Sequence, residues 1–133
     1  DEALALYEKL LAIAPEHLKN HKGLKNKGAT LEKLKRYEEA IAVFNEAITL
    51  APDDAEAYIN ASNVLIKQEK INQAISYTNK ALKLNPKNVD AIYVRALELW
   101  KLGFNDHARN EIEKALKIDP RHVLANHMMG TLY

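Results

Sequence analysis

At 133 residues, 47% of them hydrophobic and 28% charged, the chain has an ordinary globular composition. That length buries roughly two-thirds of the unfolded surface without cross-links. The absence of cysteine excludes disulfides, zinc–thiolate sites and thiol catalysis, and 19 basic against 18 acidic residues leave a net charge of +1, with no global field to draw nucleic acid. No apolar run approaches the ~18 residues of a membrane span. Asp1 opens what reads as mid-helix, so the chain is expected to be a piece of a longer protein.

Taken in chain order, the first predicted element is a helix over 1–14 that ends at Pro15. Leu24, Gly28, Leu31 and Leu34 then mark one helical stripe, and Ala40, Phe44, Ala47 and Leu50 a second, which stops at Pro52. The same pair recurs as Tyr58, Ala61, Ser62 and Leu65 with Ala74, Tyr77, Ala81 and Leu84, before Pro86. It recurs again as Ile92, Ala96, Leu99 and Leu102 with Ala108, Ile112, Ala115 and Ile118, before Pro120. The four prolines are 37, 34 and 34 residues apart, and a period of 34 with a helix before each proline marks repeated helical hairpins. One such hairpin cannot bury its apolar face alone, so neighbours must stack.

Small residues keep phase with this period. Gly28, Ser62, Ala96 and Gly130 share one slot of the first helix, and Ala40, Ala74 and Ala108 share the matching slot of the second. Without bulk at either slot, the two helices can pack near the short end of the usual 8–10 Å separation. Ala47, Ala81 and Ala115 leave room for the next hairpin, while Phe44, Leu65 and Leu99 fill the layers between. Asp53, Asp54 and Asn88 are placed to cap first helices, and Asn72 and Asn105 are expected to cap second helices.

These residues resemble the tetratricopeptide repeat pattern of large–x–x–Leu–Gly–x–x–Tyr, Ala–x–x–x–Phe, Ala and Pro, over the whole chain. The departures are Lys27 and Arg95 in place of leucine, Leu10 in place of the late alanine and Thr78 in place of an aromatic residue. The resemblance implies an all-α fold, a right-handed α-solenoid of antiparallel helix hairpins. Its expected divisions are a second helix of a truncated repeat (1–16), a repeat with a three-residue insertion (17–54), two regular repeats (55–88 and 89–122) and a truncated first helix (123–133).

No Gly-rich phosphate loop, nucleophile elbow or Ser/His/Asp set stands out, so no enzymatic activity, catalytic residue or cofactor is expected. His17 and His21 have metal-like spacing but no third ligand nearby, and His122 and His127 diverge around a helix; no metal site is expected. Lys19, Lys22, Lys25, Lys27, Lys33, Lys35 and Arg36 make one stretch basic, without the interleaved aromatics of a nucleic-acid surface.

The resemblance implies a concave groove lined by first helices. Carried over by position, it offers Lys22, Lys25, Asn26, Ala29 and Glu32, then Glu56, Ile59, Asn60, Asn63 and Ile66. It goes on through Asp90, Tyr93, Val94, Leu97 and Trp100 to Leu124, His127, Met128 and Thr131. The expected partner is a protein or peptide with apolar anchors and some acidic character. It would meet a wall that is basic and polar at its amino end, and apolar and aromatic at its carboxyl end. Asn60 and Asn63 suit a peptide backbone, since a carboxamide both donates and accepts. Val94, Leu97 and Met128 have an alternative role in packing against a following helix. A chaperone-type carboxylate clamp is not expected: Lys25 and Asn60 match it, but Ala29, Asp90 and Val94 do not, and Asp90 would repel the carboxylate. Rival roles are a self-assembling scaffold joined through its truncated ends, or a substrate-recruiting part of a larger enzyme. No membrane or nucleic-acid partner is expected, and of the compartments a cytoplasmic one is favoured.

Overall fold

The computed structural model describes residues 21–132, with Glu2 and Ala5 as isolated helical positions. Apart from those two positions, the expected helix over 1–14 lies outside the described residues, as do the three-residue insertion, His17 and Lys19. Seven helices follow in order: α1 (His21–Lys33), α2 (Tyr37–Leu50), α3 (Ala55–Lys67), α4 (Ile71–Leu84), α5 (Val89–Lys101), α6 (Asn105–Ile118) and α7 (Val123–Leu132). Among the described residues there is no strand.

Helices pair as α1/α2, α3/α4 and α5/α6, and each hairpin packs on the next through its second helix. The first helices also touch one another, α1 to α3 and α3 to α5. They therefore form the inner layer of the solenoid, with α2, α4 and α6 outside.

The small-residue slots work as the sequence requires. A Cβ at Gly28 would lie 2.5 Å from the Phe44 ring, so the ring occupies the space that the glycine leaves. Phe44 is wholly buried, which is worth about 2–3 kcal/mol for a side chain of its size. Ala40, Ala74 and Ala108, and likewise Ala47, Ala81 and Ala115, are at most 1% exposed.

Two kinds of turn alternate. Between hairpins, the Asp54 carboxylate accepts from the Glu56 N–H and the Asn88 side chain accepts from the Ala91 N–H, so both cap first helices as expected. Within hairpins the expectation fails. Asn72 is the second residue of α4 and Asn105 the first of α6, and the cap positions fall on Arg36, Lys70 and Phe104 without a side-chain cap. The backbone closes these turns instead. Arg36, Lys70 and Phe104 donate their N–H groups to the carbonyls of Leu31, Leu65 and Leu99, and the preceding residues Lys35, Glu69 and Gly103 have φ of 61°, 60° and 89°. This is the Schellman closure, and it sets Arg36, Lys70 and Phe104 at the cap positions, so Asn72 and Asn105 fall inside their helices.

Candidate functional site

The inner layer carries the candidate site, and its charges prove to be tied across helices. Lys25 on α1 reaches Asp54 at 2.7 Å and Glu56 at 3.3 Å, at the start of α3. Burial lowers the pKa of this ammonium, but hydrogen bonds and opposite charge from Asp54 and Glu56 prevail and hold it above the usual lysine value. At the other end of the same helix pair, Lys67 of α3 meets Glu32 of α1 at 2.6 Å. Lys101 at the end of α5 meets Glu69, just beyond α3, at 3.5 Å. Asp90 of α5 meets His122, just before α7, at 2.8 Å. Each successive pair of first helices is thus stapled at one or both ends, the i to i+29–35 spacing being about that of one repeat.

His122 has a second task. Its Nδ1 accepts from the Ala125 N–H at 3.1 Å, so Nε2 carries the proton and donates to Asp90. It caps α7 from the position that Asp54 and Asn88 hold in the earlier repeats. The Tyr93 ring lies against it, with centroids 5.7 Å apart, and burial pushes the Tyr93 hydroxyl pKa up.

Between the stapled ends lies an uncharged strip. Asn60, Asn63, Tyr93 and Leu97 are half-buried, and Trp100 extends the strip with 38% of its surface exposed. Tyr93, Leu97 and Trp100 are four and three residues apart, hence on one face of α5. The side chains of Asn60 and Asn63 make no hydrogen bond among the described residues.

Other expected groove residues are placed differently. Ile59, Val94 and Met128 are 7%, 1% and 5% exposed and belong to the apolar core, as does Ile66. Neighbouring first helices lie against each other, and these side chains fill the seam rather than the open wall. Lys22, Asn26 and His127 are exposed, Lys22 without an ion pair among the described residues.

Sequence reasoning missed one buried group. Glu98 on α5 is 2% exposed and accepts from the Thr78 hydroxyl of α4 at 2.8 Å. Thr78 Oγ1 also lies 2.9 Å from the Ser62 hydroxyl, which reaches the carbonyls of Tyr58 and Ala74. Thr78 standing where the repeat pattern has an aromatic residue was the signal, since the smaller side chain makes room for a neighbour's carboxylate. Among the described residues, no group of three or more His, Cys, Asp or Glu is arranged to hold a metal.

An inner layer of first helices backed by second helices defines a helical-repeat module with an open wall. Tetratricopeptide repeat family models match it over residues 31–98, 1–55 and 89–122, and the chain belongs to the tetratricopeptide repeat family. Over 45 residues it is 49% identical to human tetratricopeptide repeat protein 33, a match that spans 34% of this chain and 17% of that protein. The solved structure of YrrB, described as a TPR protein with an unusual peptide-binding site, is similar with a TM-score of 0.80 and 26% identity, over 97% of this chain and 65% of that one. The first TPR of Spaghetti (RPAP3), bound to the HSP90 peptide SRMEEVD, shares the fold with a TM-score of 0.78 and 23% identity, over 85% of this chain and 90% of that one.

Proposed function

We propose that the concave wall of this chain binds a segment of a partner protein, with its apolar anchors against α5. The observation that carries this is the strip of Tyr93, Leu97 and Trp100, aromatic and apolar on one face of an inner helix and still accessible. Such side chains supply most of the energy in protein interfaces. The peptide-binding descriptions of YrrB and of the Spaghetti TPR support a peptide as the class of ligand. A terminal carboxylate is a poor candidate here, because Lys25 is already shared between Asp54 and Glu56. Any acidic residue of the partner then falls to Lys22, at the flank of the wall.

The test is a pull-down from the source cell beside the variant Asn60→Ala/Tyr93→Ala/Leu97→Ala, checked for folding by circular dichroism. Partners kept by the natural chain and lost by the folded variant support the groove. Equal recovery from both rejects it.

Self-association is a second reading, favoured by α7. There Val123 and Leu124 are 79% and 53% exposed, and a Cβ at Gly130 would meet nothing within 4 Å. Analytical ultracentrifugation across a concentration series, with Leu124→Lys as the comparison, decides it: a monomer at every concentration removes this reading.

A further inference from the structure

The concave wall spends its charges on itself. The cations Lys25, Lys67 and Lys101 and the anion Asp90 are each held by a residue of a neighbouring first helix or its flank. These ties lie near the helix ends, and the middle of the wall is uncharged. Whatever each pair contributes to stability, it cancels a field that a ligand would otherwise meet. Anywhere but at Lys22 on the flank, an acidic ligand would have to displace Asp54 and Glu56 from Lys25, or Glu32 from Lys67, and leave those carboxylates facing its own.

The uncharged middle is equipped in another way. The Asn60 and Asn63 carboxamides and the Tyr93 hydroxyl make no hydrogen bond among the described residues, and all three residues are half-buried. A carboxamide offers two donors and an acceptor, which matches the alternating N–H and C=O groups of a peptide backbone. Leu97 and Trp100 continue this polar set as apolar surface on α5.

We propose that the segment occupying the middle of the wall is an internal, uncharged stretch of polypeptide, read through its backbone by Asn60 and Asn63 and through apolar side chains by Tyr93, Leu97 and Trp100. This rests on the groove reading above and names its ligand class. Among the described residues, a carboxylate between the anchors of the ligand meets no cation that is not already tied: Lys101, 5.9 Å over the Trp100 ring, is held by Glu69, and a free C-terminus finds Lys25 shared between Asp54 and Glu56.

The experiment is selection of a 16-residue random peptide display library on the natural chain, with both peptide ends blocked in the follow-up synthetic peptides. Enriched peptides are expected to carry two or more apolar residues with no acidic residue between them. Their affinity should change by less than about threefold between about 50 and 300 mM salt, as expected when no ion pair forms on binding. It should fall about tenfold or more in Asn60→Ala/Asn63→Ala and in Leu97→Asp, a loss of ~1.4 kcal/mol. Circular dichroism establishes that both variants are folded. Enriched peptides with carboxylates between their anchors, weakened by salt and by Lys25→Ala, overturn the uncharged ligand while leaving the groove in place. Peptides that bind both wall variants as well as they bind the natural chain, or a selection that enriches nothing, overturn the groove reading and this inference together.

Discussion

The Thr78 hydroxyl donates to the Glu98 carboxyl at 2.8 Å across the seam between the second and third hairpins, inside a core whose other buried polar side chain among the described residues is Ser62. Burial pushes the Glu98 pKa up to about 7, against the Thr78 hydrogen bond and the Arg95 guanidinium, both of which pull it down. Desolvation of the charged form outweighs both.

Glu98 should therefore make its own contribution to the pH dependence of stability. The folded-state pKa of Glu98 is raised above its unfolded value, so the contribution of this group is most favourable where both states are protonated. That contribution is lost as pH rises from about 4.5 to about 7, and the loss levels off above that. Glu98→Gln stays neutral and still accepts from Thr78. It should match the natural chain near pH 4 and exceed it at pH 8 by an amount on the order of 2–3 kcal/mol. Thermal unfolding of both proteins across this range checks the sign. A natural chain that gains stability on the variant as pH rises would refute it.

Two glycines in the same repeat slot should respond oppositely to alanine. At Gly28 the new methyl would meet the Phe44 ring at 2.5 Å, and that ring is fully enclosed, so Gly28→Ala should cost ~1–3 kcal/mol. At Gly130 nothing lies within reach, and Gly130→Ala should gain the helix-propensity difference of ~0.5–1 kcal/mol for α7. Chemical denaturation suits the first; helicity or hydrogen exchange of α7 suits the second.

The turns within hairpins hold two side chains in left-handed backbone, Lys35 at φ 61° and Glu69 at φ 60°, where the third repeat has Gly103. Lys35→Gly should stabilise by ~0.5–1 kcal/mol, because glycine adopts this conformation without the Cβ contact. Glu69→Gly should gain less, since it also removes the tie to Lys101. Comparing the two denaturation midpoints separates the backbone effect from the ion pair.

His122 links the cap of α7 to Asp90 on α5, so removing it should loosen that end of the solenoid. His122→Ala loses the acceptor for the Ala125 N–H and should destabilise α7 by ~1 kcal/mol, while His122→Asn keeps a capping oxygen. Amide exchange along 123–132 should quicken in the alanine variant and stay near the natural rate in the asparagine variant. Equal exchange in both would mean that the cap contributes nothing.

The order of helices, their pairing and the close approach at Gly28 were all written in the 34-residue rhythm of prolines, small residues and apolar stripes. Local chain chemistry decides these features: a proline stops a helix, a stripe at helical spacing seeks burial, and a slot without bulk admits a neighbour. The caps at Asp54 and Asn88 were legible for the same reason, since a capping oxygen and its N–H lie within three residues. The hairpin turns were not, because a backbone closure leaves no signature when lysine and glutamate occupy the left-handed position in place of glycine. The wall itself was only half legible. Position in the repeat placed Asn60, Asn63, Tyr93 and Leu97 on it, but also Ile59, Val94 and Met128, which the packing of one first helix on the next takes into the core. The pairing of Lys25 with Asp54 and Glu56, of Asp90 with His122 and of Thr78 with Glu98 was decided by tertiary structure alone. Each joins side chains 20 to 32 residues apart, whose distance depends on how one hairpin stacks on another.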